Sequence, residues 1–314
     1  MKSFLLSSIA VLAIGLSFAS GAEAADKAKV FAMVPKLIGH PFYAEVEKGC
    51  QAEAEKDGVT CLFTGSPQAD EAEQARVIRD LITKKVDGLA IAPNNGASII
   101  PVIAAAKAKG IPVITFDSDA PKSDRALFVG TNNLQGGAEA GKAFVAATAD
   151  GGKYAIVTGG LASANLNDRI KGFKSALSPK YSEISGSPFP CDDDSNRGIQ
   201  IIQDLLVKNP DLKGIFISGG WPMYAYEAFS RALQSRHDDI KAGKLVVVSY
   251  DTTPSQLKLL KEGYATALVG QRPYAMGTQS IDILKKLSEK ASVPDVVDTG
   301  VDLVTATNVD QFLK

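Results

Sequence analysis

The stretch Ile-Pro-Val-Ile-Thr-Phe-Asp-Ser-Asp, residues 111–119, is a short apolar run that ends abruptly in carboxylates. A second stretch, Leu-Val-Val-Val-Ser-Tyr-Asp-Thr-Thr-Pro at 245–254, has the same form. In both, a β-rich run closes on an aromatic residue, an Asp and a Ser or Thr, with a Pro a few residues beyond. The likeness extends outward. Another strand-like run precedes each, at 86–93 and 212–219, and a shorter one follows, closing in Val129-Gly130-Thr131 and Val269-Gly270-Gln271. The chain therefore reads as two halves of one plan, each setting an Asp at the C-terminal end of a buried strand. In open α/β sheets that edge is where ligands bind, so Asp117 and Asp251 are the first candidate site residues.

The pattern around these anchors alternates. Strand-like runs at 29–34, 59–64 and 88–92 are separated by helical stretches at 42–56, 70–85 and 97–109. Asp70, with Glu73 three residues on, is a helix-start signal. The second half repeats the rhythm. Its helices are expected at 133–147, 168–177, 196–208, 223–234, 254–263 and 274–287. Its strands are expected at 153–158, 184–189, 214–218, 245–250 and 267–270, with one last crossing strand at 296–305. Such alternation implies parallel sheets covered by helices on both faces.

The bulk numbers agree. A chain of 314 residues, 45% hydrophobic and 22% charged, is long for one core. A formal net charge of −1 gives no reason to expect a nucleic-acid or anionic-membrane partner. Two His and three Cys give no zinc-ligand spacing, and no cofactor or metal is expected. The first 24 residues read as a signal peptide: Lys2, an apolar run over 4–18, and Ala22-Glu23-Ala24 as the cleavage motif. Export to the periplasm of a double-membraned bacterium follows, with a mature start near Ala25. Cys50 falls on the buried side of the first helix and Cys61 in the second strand, so oxidation after export would make them a disulfide pair. The alternative is two buried thiols. Cys191 has no evident partner.

The mature chain resembles the type I periplasmic sugar-binding proteins, the ribose-binding branch above all. The likeness covers nearly all of 29–305. It rests on His40-Pro41-Phe42-Tyr43, Ile111–Asp117, Gly130-Thr131-Asn132-Asn133 with Gly136-Gly137, Asp168-Arg169-Ile170-Lys171-Gly172-Phe173, Tyr250-Asp251-Thr252-Thr253-Pro254 and Gly270-Gln271-Arg272-Pro273. The resemblance implies an α/β fold of two similar doubly wound parallel-sheet lobes joined by three crossover segments. Lobe one would be 25–131 plus 272–301, and lobe two 132–271 plus 302–314. It implies hinged closure on a sugar or polyol, delivery to a membrane-embedded ABC permease with a cytoplasmic ATPase, no catalysis, and a monomer with no nucleic-acid partner.

Carried over by position, Asp117 and Asp251 match ligand carboxylates and Gln271 a ligand amide. Phe42 and Tyr43 match the aromatic pair that stacks on a sugar ring. His40 stands where the branch has Asn, and Asn94 follows the third strand. The second half departs from the branch. Asn167 holds the place of a ligand Arg, Asp193 lies where a stacking Phe is expected, and Gly220 replaces an Asn, with Trp221 beside it as a substitute aromatic surface. Arg169 matches a position that is more often structural. The resemblance thus implies a sugar or polyol without specifying ribose. Pro35-Lys36-Leu37-Ile38-Gly39 and Phe116-Asp117-Ser118-Asp119 also look like receptors for the furanose autoinducer-2, in which a Lys contacts ligand, so Lys36 joins the candidates. An input module for a chemoreceptor or sensor kinase is a further alternative. An enzyme is not expected, because G-x-S-x-G, P-loop and G-x-G-x-x-G motifs are missing.

Overall fold

A computed structural model describes residues 28–313; the signal-peptide reading of 1–24 lies outside the described residues. From the N-terminus run β1 (Val30–Val34), α1 (Pro41–Asp57), β2 (Thr60–Phe63), α2 (Glu71–Thr83), β3 (Gly88–Ile91), α3 (Ile100–Ala108), β4 (Val113–Phe116) and β5 (Phe128–Gly130). Then follow α4 (Asn133–Ala147), β6 (Gly152–Thr158), α5 (Ala164–Ser175), β7 (Tyr181–Glu183), β8 (Phe189–Pro190), α6 (Ser195–Lys208) and β9 (Gly214–Ile217). The chain continues through α7 (Trp221–Tyr224), α8 (Tyr226–Leu233), α9 (His237–Lys241), β10 (Val246–Tyr250), α10 (Pro254–Lys261), β11 (Ala267–Gly270), α11 (Pro273–Ser288), β12 (Val296–Asp298) and β13 (Asp302–Thr305).

The strands form two sheets. One has the order β12-β5-β4-β3-β1-β2 and is parallel throughout. The other runs β13-β11-β10-β9-β6-β7, with β8 also on β6, and only β13 is antiparallel. Each sheet is covered on both faces, which accounts for its continuous runs of Val, Ile, Leu and Phe. In the first sheet Phe31, Met33 and Phe116 face α1 and α11, while Val34, Leu89 and Ile91 face α2 and α3. In the second, Ile156, Phe216 and Tyr250 face α4 and α5, while Val157, Ile217 and Val247 face α6 to α10. This is the α/β architecture expected from the alternation.

The chain passes between the sheets three times: after β5, after β11, and between β12 and β13. The last passage corrects the single strand expected over 296–305. Val296–Asp298 pairs parallel with β5, and Asp302–Thr305 pairs antiparallel with β11. Gly300, at φ +78°, breaks the run between them. Most of the strand expected at 184–189 is instead a turn: Gly186 (φ +86°) bends the chain between β7, which ends at Glu183, and β8, which starts at Phe189, each a short pairing on β6. The helix expected at 223–234 is interrupted at Ala225 (φ −91°, ψ 73°). The helix expected from Asp168 starts four residues earlier, after Ser163 in extended conformation.

Close helix contact stiffens each half. A Cβ on Gly137 would lie 2.1 Å from the Arg169 carbonyl oxygen, and one on Gly172 would lie 2.1 Å from that of Leu134, so α4 and α5 touch backbone to backbone. Gly49 and Gly277 join α1 to α11 in the same way. Asp70 caps α2, accepting from the Glu73 N–H at 2.8 Å, a bond of the type worth about 1 kcal/mol.

Cys50 and Cys61 form a disulfide between α1 and β2, with Cα atoms 6.0 Å apart. Cys191 is free and buried, and burial pushes its thiol up to about 12, which makes it a poor nucleophile. The bridge closes a loop with a sequence separation of 11. Cys50→Ser should therefore cost about 2–3 kcal/mol of unfolding free energy. In the unfolded, unreduced protein only Cys191 should alkylate; alkylation of all three thiols would contradict the pairing.

Candidate functional site

Asp117 and Asp251 are built alike. Each is the first residue after a central strand, and each takes a left-handed backbone, φ +56° and +72°. The Asp117 N–H donates to the Val129 carbonyl at 3.0 Å, and the Asp251 N–H donates to that of Val269 at 2.8 Å. The duplication seen in the sequence is thus a duplicated backbone turn. A non-glycine residue with φ above zero is uncommon, although Asp tolerates it better than most. The turn aims both carboxylates off the sheet edges into one cavity. That cavity is lined by Lys36, His40, Phe42, Tyr43, Asp117, Arg169, Asp193, Trp221, Asp251 and Gln271 among the sequence candidates, and by Leu37, Asn165, Leu166, Gly219, Gly220 and Tyr224 besides.

The Tyr43 hydroxyl donates to Asp117 Oδ2 at 2.7 Å, and Asn165 Nδ2 donates to Asp117 Oδ1 at 3.1 Å. The Lys36 ammonium crosses to Asn165 Oδ1 at 2.9 Å. Asn165 therefore bridges two groups of the first half from a helix of the second. On the other wall, Gln271 Nε2 donates to Asp251 Oδ1 at 2.6 Å, and the Tyr224 hydroxyl donates to Asp251 Oδ2. Burial, followed by the neighbouring carboxylate, holds both phenols well above their ordinary range, so Tyr43 and Tyr224 remain donors at physiological pH. Burial also raises the Asp251 carboxyl, against the opposing pull of Arg169 and of its two hydrogen bonds.

Arg169 joins these parts. Its guanidinium lies 4.1 Å above the Tyr250 ring. It donates to Asn133 Oδ1 at 2.8 Å, to the Ser218 carbonyl at 3.0 Å and to Gln271 Oε1 at 2.6 Å, and it stands 3.9 Å from Asp117 Oδ1. Gln271 Oε1 also accepts from the Thr131 hydroxyl at 3.1 Å. Thr131 and Gln271 sit on two of the three passages between the sheets, so one polar network links the cavity to the segments on which the halves would turn.

Two candidates stand apart. Asn94 is buried, but its side chain donates to the Lys36 carbonyl at 3.2 Å, where it shapes the first loop. Asn167 is exposed and donates to the Leu161 carbonyl at 3.0 Å. The position two residues before Arg169 lies on the outer side of α5. Asn165 and Arg169 are four residues apart on a helix and share the cavity face, while Asn167 points away. Tyr224 was also missed, because the expected helix left no room for the short α7 that presents its hydroxyl.

Some polar atoms in the cavity are unpartnered among the described residues: both ring nitrogens of His40 and Asp193 Oδ1. The His40 ring packs edge-on against Tyr224, with centroids 4.7 Å apart. A neutral imidazole there offers one donor and one acceptor, which suits a hydroxyl.

A family model described as a periplasmic binding protein domain matches residues 31–292. The chain belongs to the periplasmic binding protein family. The ribose import binding protein of Salmonella typhimurium is 29% identical to this periplasmic binding protein over 292 residues, covering 92% of this chain and 95% of the relative. The D-allose-binding periplasmic protein of Escherichia coli is 28% identical over 292 residues, covering 89% and 90%. Among solved structures, an ABC transporter solute binding protein from Burkholderia graminis in complex with D-arabinose superposes with a TM-score of 0.83 at 35% identity, covering 91% of this chain and 98% of that one. The resemblance carried by the motifs is thus the relationship that the whole chain shows.

Burial lowers the His40 imidazole from 6.5 to about 4, with Asp117 opposing the shift and Lys36 adding to it. A folded pKa below the unfolded one stabilises fully above the unfolded value, and that stability is lost as pH falls through the folded value. The loss should amount to about 3 kcal/mol between pH 6.5 and 4. His40→Gln should flatten that slope in denaturant titrations of the ligand-free protein; an unchanged slope would place the histidine in solvent.

Proposed function

We propose that this periplasmic binding protein captures a sugar or polyol between its two halves and hands it to an ABC permease, which imports it with ATP. The observation that carries this reading is the duplicated Asp turn, which sets one carboxylate from each half on a common cavity. Ribose, D-allose and D-arabinose appear in the names of its relatives. A sugar offers hydroxyls in fixed directions and apolar ring faces. Asp117, Asp251, Gln271, His40, Asp193, Lys36 and Arg169 supply the polar partners in this reading, and Phe42, Tyr43 and Trp221 the ring surfaces. The lobes are 25–131 plus 272–301 and 132–271 plus 302–314, hinging at Thr131, Gln271 and the turn before Val301. The protein works as a monomer in the periplasm once its signal peptide has been removed after Ala24, and it binds without turning its ligand over. Lys36 in the cavity also supports testing the autoinducer-2 furanose beside ordinary sugars.

A thermal-shift screen of pentoses, hexoses, polyols and autoinducer-2 identifies the ligand, and calorimetric titration with that ligand tests the site. Asp117→Ala and Asp251→Ala should each leave ligand hydroxyls unpaired in a dry cleft, costing roughly 3 kcal/mol, or about a hundredfold in affinity. Each change also removes the acceptor of two side-chain donors, Tyr43 and Asn165 or Tyr224 and Gln271, so melting of the ligand-free variants is measured alongside to separate lost affinity from lost stability. Retained affinity in either variant would remove that wall from the site.

A further inference from the structure

Asp193 comes from the tight turn between β8 and α6, where Asp192 and Asp193 both take left-handed backbones, φ +51° and +60°. The Asp194 side chain caps α6 by accepting from the Arg197 N–H at 2.7 Å, which fixes the turn. Asp193 is 8% exposed, lines the cavity, and its Oδ1 has no partner among the described residues. A Cβ on Gly159 would lie 1.9 Å from that oxygen, so the glycine at the end of β6 leaves the room the carboxylate occupies.

Burial raises the Asp193 carboxyl and the charges of Lys36 and Arg169 oppose that rise, but the hydrogen bonds of both cavity cations go elsewhere. The Lys36 ammonium donates to Asn165, and Arg169 donates to Asn133, Ser218 and Gln271. Asp117 and Asp251 each accept two side-chain donors, whereas Asp193 Oδ1 accepts none among the described residues. The charged residues lining the cavity are the carboxylates of Asp117, Asp193 and Asp251 and the cations Lys36 and Arg169, with His40 held neutral. At full ionisation three carboxylates would face two cations, and burial raises the Asp193 and Asp251 carboxyls, so a further negative charge in the cavity is disfavoured. Closing the cleft over an unpartnered carboxylate is costly unless the ligand supplies its donor. A second negative charge brought in by the ligand would add to that cost.

We propose that Asp193 is a third ligand carboxylate, one that reads a hydrogen-bond donor on the ligand and makes the cleft reject sugar acids and sugar phosphates. The inference rests on the sugar-capture reading and adds its charge specificity. The donor it reads is a hydroxyl or an ammonium, chemistry shared by neutral sugars and amino sugars.

Calorimetric titration of the mature protein with matched probes tests it: D-galactose, D-galactosamine and D-galacturonate, and D-arabinose with D-arabinose 5-phosphate. The neutral or amino member of a set should bind, with the anionic member at least a hundredfold weaker. Tighter binding of D-galactosamine than of D-galactose would identify the donor as an ammonium, and the reverse as a hydroxyl. Asp193→Asn keeps the shape and removes the charge. It should narrow the gap between anionic and neutral probes at least tenfold, a change in ratio that a purely structural role would not produce. Gly159→Ala, whose Cβ would press on the carboxylate and also on Leu166 and Trp221, should weaken the preferred probe. A gap unchanged in Asp193→Asn, or an anionic probe that binds the unaltered protein as well as its neutral partner, overturns the proposal while leaving sugar capture standing. Binding of no probe in either set, nor of any sugar in the screen, overturns both.

Discussion

The structure depends on one constraint: a carboxylate held on a left-handed backbone at the end of a central parallel strand, made once in each sheet. Asp117 follows β4 and Asp251 follows β10, and each backbone N–H is fixed to the neighbouring strand. The helices that cover both sheet faces leave the strand ends as the open edge. Two such edges meet in one cavity. The left-handed turn directs the side chain out of the sheet plane, so the carboxylate faces the other half instead of its own core.

In the sugar-capture reading, what surrounds those carboxylates would hold them ready for hydroxyls. Tyr43 and Asn165 on one side, and Tyr224 and Gln271 on the other, are neutral donors. They orient the acids without cancelling their charge, so each oxygen keeps lone-pair capacity for a ligand. Arg169 lies at the centre of this arrangement. It is fixed by the backbone contact of α4 with α5 and by the Tyr250 ring, and it reaches the amide of Gln271 and the edge of Asp117. A ligand that shifts either acid would move this network, and Thr131 and Gln271 carry the movement to the passages between the sheets. Binding and closure would then be one event, with the coupling located in named hydrogen bonds.

The sequence disclosed what depends on local repetition and strand chemistry. Alternation and the matched halves gave the two-sheet architecture, the matched runs gave both strand-end acids, and the burial of Cys50 and Cys61 left a disulfide open beside two thiols, which the structure resolves as a disulfide. It did not disclose what depends on where an element begins. The position carried over, two residues before Arg169, is Asn167, whereas α5, which begins four residues before the expected start, puts Asn165 on the cavity face. Ser163 before the helix was the available signal. Joining α7 to α8 hid Tyr224 in the same way, since one break at Ala225 decides where its hydroxyl goes. The last crossing read as one strand because apolar periodicity is blind to which sheet a residue joins; Gly300 held the only local hint. Arg169, matched to a position more often structural, faces the cavity while it braces α5, and sequence alone cannot show both in one side chain.

The central claim is that a single ligand is held between the two duplicated carboxylates. A crystal structure of the mature protein with its screened sugar bound tests this most directly. The account predicts one sugar molecule with hydroxyls within about 3 Å of both Asp117 and Asp251, one acid from each half. A sugar that touches only one of the two acids, or that lies outside the cavity they share, would contradict it.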